Sequence, residues 1–271
     1  MGALIITAAL VWTAVFYLQN RNYLTVAFLD VGQGDAIFIE APNGNQILID
    51  GGPNKKVLSE LSKVMPFYDR SIDVVIATHP DADHIGGLPE VLARFDVDYI
   101  LDSDSVSDTG VFKAWLSAVE KESARYTHVF RGTRILLGEN ARLDILYPFP
   151  GQKSEDTNNM SVVAKLVYGK ICFVLTGDLE RAGEFKLLND DISCEILKIG
   201  HHGSKTSTSD AFLAKIAPKF AVIQSGHDNK YGHPHDIVLA KLRAAGIAAL
   251  RNDERGLIKI RSDGEQIWIG K

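Results

Sequence analysis

The chain has 271 residues, of which 46% are hydrophobic and 23% charged, and its formal net charge is −5. That size and balance fit one ordinary globular domain of about 250 residues, or two small ones, with enough chain to bury a core. They exclude a global basic field that would draw the whole protein onto nucleic acid. Two cysteines, Cys172 and Cys194, are too few for a disulfide scaffold and stand at no recognised metal spacing. Both sit in apolar, strand-like runs and read as small core residues.

In chain order, the first segment is MGALIITAALVWTAVFYLQN, which has no charged side chain; Ala3 to Leu18 is apolar apart from two threonines. As a helix rising about 1.5 Å per residue, it reaches most of a hydrocarbon core about 30 Å thick. A cleaved signal peptide would want basic residues near Met1 and a small-x-small site before Arg21, and neither is present. We expect residues 1–21 to form a membrane anchor or uncleaved signal-like helix, inserted through residues 3–18, with Trp12 and Tyr17 near the interfaces. Arg21 alone favours a cytoplasmic side for the chain beyond it. Residues 22–271 are expected to form one globular domain, not two.

Next come short β-runs. YLTVAFLDVGQGD, AIFIEAP and QILIDGG read as consecutive strands, with PNGN a hairpin turn between the last two. KKVLSELSKVM has the helical spacing of Val57, Leu58, Leu61 and Val64. SIDVVIATH is a strand, GGLPEVLARF a helix with proline near its start, VDYILDS a strand and GVFKAWLSAVEKES a helix. Residues 126–149 are further β-runs. A second half repeats the theme: SVVAKLVYGKICFVLTGD is two strands about a glycine turn, LERAGEFKLLND a helix, and CEILKIGHHGS a strand. SDAFLAKIAP, KFAVIQSG and DIVLAKLRAAG are helix, strand and helix, and GLIKIRSDGEQIWIG closes as a hairpin. Two β-then-α halves of similar size imply two sheets packed face to face with helices outside, an α+β sandwich of αββα layers.

The chemistry-bearing residues come after strands. His79 ends VVIAT, Asp178 ends ICFVLTGD, His201 and His202 end EILKIGHHGS, and His233 and His235 come after AVIQSG. Side chains delivered from the ends of several strands can converge on one sheet edge, where loops leave a pocket open. His79, Asp81, Asp83 and His84 form H-x-D-x-D-H, four ligand-type groups in six residues and too many for one cation. This points to two adjacent divalent metals sharing a bridging carboxylate, able to activate water and to clamp a phosphoester. No cysteine joins the set, so a closed structural zinc site is not expected. The oxygen-rich ligands admit Mn²⁺ beside Zn²⁺.

These motifs resemble the metallo-β-lactamase superfamily, and within it the extracytoplasmic hydrolase domain of ComEC-type DNA-uptake competence proteins. The resemblance covers almost all of residues 23–271 and rests on FLDVGQGDAIFIEAP, ILIDGG, THPDADHIGG, NNMSVV, VLTGD, KIGHHGSKTSTS and YGHPHDIV, in that order. The superfamily pattern is H-x-H-x-D-H; Asp81 departs from it, in a way that the narrower family shares. The resemblance implies that His79 and Asp81 bind a first metal, that Asp83 and His84 bind a second, and that Asp178 bridges them. One histidine of HHGS completes the second site. His201, which leaves the strand first, is favoured, and His202 then faces the substrate, but the pair stays open. Asp83, His202 and His233 are the residues expected to serve the reaction itself. No histidine occupies the usual third-motif position, so Asn159 of NNMS is expected to hold a water or a phosphate oxygen. Asp50 and Asp30 are expected to brace ligand loops by hydrogen bonds.

Between Lys198 and Arg243 there are seven Lys or Arg against three Asp. Lys205, Lys230 and His233 are therefore candidates to steer a phosphate backbone, with Ser204 as a hydrogen-bond donor. Ser204, Thr206, Ser207 and Thr208 either donate hydrogen bonds to phosphate in this way or cap the next helix. The expected function is a two-metal phosphodiesterase acting on DNA, anchored in the cell membrane, facing outward, and near DNA-uptake machinery. Two alternatives remain: a small-ester hydrolase of phosphorylcholine esterase or lactonase type on the same site, and a non-catalytic DNA-binding module.

Overall fold

Both faces of the central strands are apolar, and the layers arise from that. The structure, a computed structural model, describes residues 23–270 and, ahead of them, Thr7 alone. The expected anchor lies outside the described residues, and among those described no helix is long and apolar enough to cross a membrane. The strands of the first half are β1 (Leu24–Phe28), β2 (Ile37–Glu40), β3 (Gln46–Ile49), β4 (Ser71–Ala77), β5 (Asp96–Asp102) and β6 (Arg125–His128). The second half supplies β7 (Arg134–Leu136), β8 (Ala141–Tyr147), β9 (Val163–Tyr168), β10 (Ile171–Leu175), β11 (Ile196–Lys198), β12 (Phe220–Ile223) and β13 (Ala248–Arg251). A closing hairpin, β14 (Ile258–Ser262) and β15 (Ile267–Gly270), returns to the first sheet.

One sheet has the order β15-β14-β1-β2-β3-β4-β5-β6 and the other β13-β12-β11-β10-β9-β8-β7. In each, a parallel block is joined to an antiparallel one: β3 to β6 run parallel, as do β10 to β13. Parallel neighbours need crossovers, and helices supply them on the outer faces. Alternation sorts the side chains. Val74 and Ile76 of β4 join the core between the sheets, with Phe28, Leu166, Phe173 and Leu175. Val75 and Ala77 point the other way, onto Val57, Leu61, Leu88 and Trp115 of the covering helices. The second sheet is covered in the same way: Val174 and Leu197 pack with Leu187, Phe212, Ile216 and Leu242. These are the αββα layers expected.

Local signals account for the helices. Thr109 Oγ1 accepts from the Phe112 amide at 3.2 Å and starts the helix Gly110–Val119, whose buried Phe112, Trp115 and Val119 recur at helical spacing. Ser209 Oγ caps Asp210–Ile216 through the Phe212 amide, and that helix stops at Ala217 in the left-handed conformation. Two expectations are corrected by the structure. Cys172 and Cys194 are buried, as core residues should be, but they are joined in a disulfide across 22 positions. The pairing arises because β10 and β11 are parallel neighbours, which places Cys172 close to the approach to β11. The strand expected through CEILKIGHHGS ends at Lys198, and after Ile199 and Gly200 the chain turns through His201 and His202, both left-handed with φ of 49° and 54°. The short strand β13 was not expected from the sequence.

Candidate metal centre

The strand ends that carry imidazoles or carboxylates open on the same edge. β4 runs into Thr78 and His79; Asp81, extended at φ −75° and ψ 146°, then starts the short helix Ala82–Ile85 and places Asp83 and His84 in it. The next two residues, Gly86 and Gly87, are obligatory: a Cβ on Gly87 would lie 2.2 Å from the Gly51 carbonyl oxygen, and one on Gly86 2.4 Å from that of Pro53. This close approach sets the H-x-D-x-D-H segment against the turn after β3, where Asp50 stands. β10 delivers Asp178 through Gly177, and β11 delivers His201 and His202.

Three histidines, His79, His84 and His202, are buried and held by Nδ1. His84 Nδ1 donates to Asp50 Oδ2 at 2.7 Å, while Asp50 also accepts from the Thr78 amide at 2.8 Å and its hydroxyl at 2.7 Å. With its own proton given to Asp50, the Thr78 hydroxyl accepts from His79 Nδ1 at 3.0 Å. His202 Nδ1 donates to the Gln224 carbonyl at 2.9 Å. All three therefore turn their Nε2 atoms inward. Asp178 Oδ2 lies 3.3 Å from His84 Nε2 and 3.3 Å from His202 Nε2. Asp83 Oδ2 is 3.2 Å from His202 Nε2, and Asp81 Oδ2 is 3.9 Å from His79 Nε2. The His79 and His84 rings are 4.1 Å apart.

Charge and burial compete here. Burial alone would lower both His84 and His202, but Asp178 with Asp50, and Asp178 with Asp35, hold them well above the usual imidazole range. His79 is pushed down to about 3, by burial first and then by its cationic neighbour His84. Burial would raise Asp178 and Asp83, yet the facing histidines keep both below the usual carboxylate range. His79 Nε2, His84 Nε2 and Asp178 Oδ1 are buried without a hydrogen-bond partner. Buried polar atoms are seldom left so. Imidazole nitrogens and carboxylate oxygens converging in this way fit a divalent cation, and Asp35, His84, Asp178 and His202 place one ligand atom each within 4.8 Å of one another.

The other expected residues surround this group. His201 turns Nε2 toward Asp178 Oδ2 at 3.9 Å, but its Nδ1 is with Glu180 Oε1 at 3.1 Å and the ring is part-exposed. Of the pair it is His202, not His201, that is packed against His84 and Asp178, because successive left-handed residues swing the second ring inward. His233 stands at the mouth, 5.7 Å from the His201 ring and 6.2 Å from His202, with Tyr231 stacked on it. Burial, then His202 and His201, push His233 down to about 4. Thr157 holds Asp81 Oδ1 at 2.7 Å, whereas Asn159 bonds Asp156 Oδ2 at 2.7 Å. Ser161 of the same segment bonds the Asp178 amide. Ser204 is buried and pairs its hydroxyl with Thr206 at 3.0 Å, and Lys205, exposed, gives its amide to His235 Nδ1. Asp50 braces the ligand loop; Asp30 does not, since it holds the Gly32 amide and pairs with Lys56.

Two members of the centre were not expected from the sequence. Asp35, at the end of VGQGD, and Lys198, in the apolar run EILKIG, are both buried and in contact with one another. The GQGD turn beside a strand is the signal for Asp35; nothing local marks Lys198.

Comparison with known proteins agrees with this architecture. The Metallo-beta-lactamase superfamily profile matches residues 29–227. The ComE operon protein 3 of Bacillus subtilis is 33% identical over 96% of this chain and 36% of its own length. Competence protein ComA of Neisseria gonorrhoeae is 28% identical over 88% of this chain and 32% of its own. The chain thus spans about a third of the length of these relatives. Among solved structures, the metallo-beta-lactamase fold protein YhfI of Bacillus subtilis superposes with a TM-score of 0.56 at 11% identity, covering 84% of this chain and 95% of that one.

Proposed function

The chain belongs to the metallo-beta-lactamase superfamily, and we propose that it is a metal-dependent hydrolase that cleaves phosphodiester bonds, with DNA as its substrate. The observation that carries this reading is Asp178 Oδ2, poised 3.3 Å from the Nε2 atoms of both His84 and His202 among unpartnered buried ligand atoms. His79 and Asp81 would hold one cation, Asp83, His84 and His202 the other, and Asp178 would lie between. Bound there, two divalent ions, Zn²⁺ or Mn²⁺, supply Lewis acidity that activates water and neutralises phosphate charge. His233, kept neutral and with Nδ1 3.5 Å from the Gln33 side-chain nitrogen, is placed to exchange a hydrogen bond or proton with substrate. Lys205, exposed beside His235, and Lys230, whose ammonium lies 5.0 Å from the centroid of the Tyr231 ring stacked on His233, would favour a polyanion over a neutral ester.

DNA as the substrate, and DNA-uptake machinery as a partner, are supported by the competence-protein relatives. An anchor through residues 3–18 with an extracytoplasmic catalytic part is supported by the uncharged N-terminal segment and by the Cys172–Cys194 disulfide, a bond that persists mainly in oxidising compartments. The test is an assay of the chain with Mn²⁺ or Zn²⁺ on single-stranded DNA, duplex DNA, a bis-nitrophenyl phosphate and a lactone. DNA cleavage with at least one metal is expected, and Asp178→Ala should abolish metal uptake and cleavage together. Turnover of the lactone without DNA cleavage by either metal would overturn the reading.

A further inference from the structure

Asp35, His84, Asp178 and His202 are close in space, but the imidazole rings divide them into two sides. Asp178 faces the Nε2 edges of both histidines at 3.3 Å. Asp35 faces their opposite edges: Oδ1 is 3.2 Å from His202 Nδ1, and Oδ2 is 4.0 Å from His84 Nδ1. Both Nδ1 atoms are already donors, to the Gln224 carbonyl and to Asp50. A cation held by the Nε2 lone pairs therefore has Asp178 in front of it and Asp35 behind the rings.

Lys198 explains what Asp35 does there. Its side chain is fully buried, and its ammonium touches Asp35 Oδ2, donates to the Gly177 carbonyl at 2.8 Å and lies 3.6 Å from Asp178 Oδ1. A buried ammonium needs a counter-charge, and Asp35 is the carboxylate in contact with it. The three segments it links all border the centre: the GQGD turn before β2, the end of β10 that carries Asp178, and β11, which leads to His202.

We propose that Asp35 is not a metal ligand but half of a buried Lys198–Asp35 ion pair, and that Lys198 is a positioning residue that fixes Asp178 and His202 from behind. The inference rests on the metal-centre reading above and adds to it which carboxylate is withheld from the cations. Asp35 draws on the Nδ1 side of His202 as Asp50 does on that of His84, so each ring has a carboxylate behind it and its Nε2 in front. Outer carboxylates of this kind set ring orientation and tune ligand basicity.

The experiment is metal binding, measured by titration calorimetry with Mn²⁺ and with Zn²⁺ on the full chain and on Asp35→Asn, Lys198→Met and the double variant, with metal equivalents counted by elemental analysis. Asp35→Asn should keep the parent's number of equivalents and lose about 10- to 100-fold in affinity. Lys198→Met leaves Asp35 buried and unpaired and should lose more, and the double variant should recover part of that loss, the mark of a coupled pair. Loss of one equivalent in Asp35→Asn would make Asp35 a ligand and overturn the proposal. Parent-like affinity in Lys198→Met would overturn it too. Should Lys198→Met fail to fold by circular dichroism, Asp35→Asn and the double variant decide by the same equivalents and affinities. A parent chain that binds neither metal defeats the metal-centre reading itself, and this inference with it.

Discussion

Protons and metal ions compete for the same atoms in this centre. His84 and His202 are buried between carboxylates that hold them charged above the ordinary imidazole range, so in the metal-free chain their Nε2 atoms carry protons near neutrality. A cation must displace those protons, so binding near neutral pH should release protons, read from calorimetry in buffers of different ionisation enthalpy. The pH slopes then have opposite signs. Raised imidazole pKa values stabilise the metal-free fold fully below the unfolded value of about 6.5, and that contribution is lost as pH rises through the raised values. The melting temperature of the chelated chain should fall from about pH 6.5 upward, while metal affinity rises over the same range. A flat profile for both would show that these histidines do not titrate as the geometry requires. The same residues mark the limit of the sequence as a guide. His79, Asp81, Asp83 and His84 announce themselves by local spacing, and Asp178 by its place after a strand. Lys198 does not, because a lysine ending an apolar run is normally solvated, and only the approach of Asp35 from a distant segment explains its burial.

At the level of elements, the loop after GHHG is held by one carboxylate. Glu184 is buried on the helix Arg181–Leu187; it accepts from the Thr208 amide and from the Ser209 amide at 2.8 Å. Ser209 in turn caps the next helix, and Ser207 Oγ bonds the Gly200 carbonyl at 2.7 Å, just before His201. Glu184→Ala would leave two buried amides unpaired. The expected loss is about 2–4 kcal/mol of unfolding free energy in urea, and less for Glu184→Gln, which keeps one acceptor. A loss under about 0.5 kcal/mol would mean that water replaces the carboxylate and that the loop is ordered by other contacts. Helices and long strands were legible because their periods are strong, as in β4 and in the Phe112–Trp115–Val119 face. The four-residue β13 was not, since AALR carries no alternation and is a strand only because β12 pairs with it. Nor could spacing choose between His201 and His202, which depends on two left-handed residues in succession.

The centre belongs to the molecule as a whole, because its two halves lie on different sheets. β4, in one sheet, leads to His79, Asp81, Asp83 and His84; β10 and β11, in the other, lead to Asp178 and His202. Ligands meet only when the apolar inner faces pack, so metal uptake and folding are linked, and each stabilises the other by mass action. The αββα layering was readable from two β-then-α halves, whereas the bond between Cys172 and Cys194 was not, since it needs the parallel pairing of β10 with β11. That bond gives a test on the scale of the whole chain and its compartment. Closing a loop of 22 residues restricts the unfolded chain by about 3 kcal/mol. A Cys172→Ser, Cys194→Ser double variant should lose stability of that order in urea while keeping its metal equivalents, since neither sulfur faces the ligands. In cells, a catalytic part on the outer side of the membrane should be recovered, after alkylation at lysis, with both cysteines protected until a reductant is added. Recovery with both thiols already alkylated would place the domain in a reducing compartment and reverse the proposed orientation.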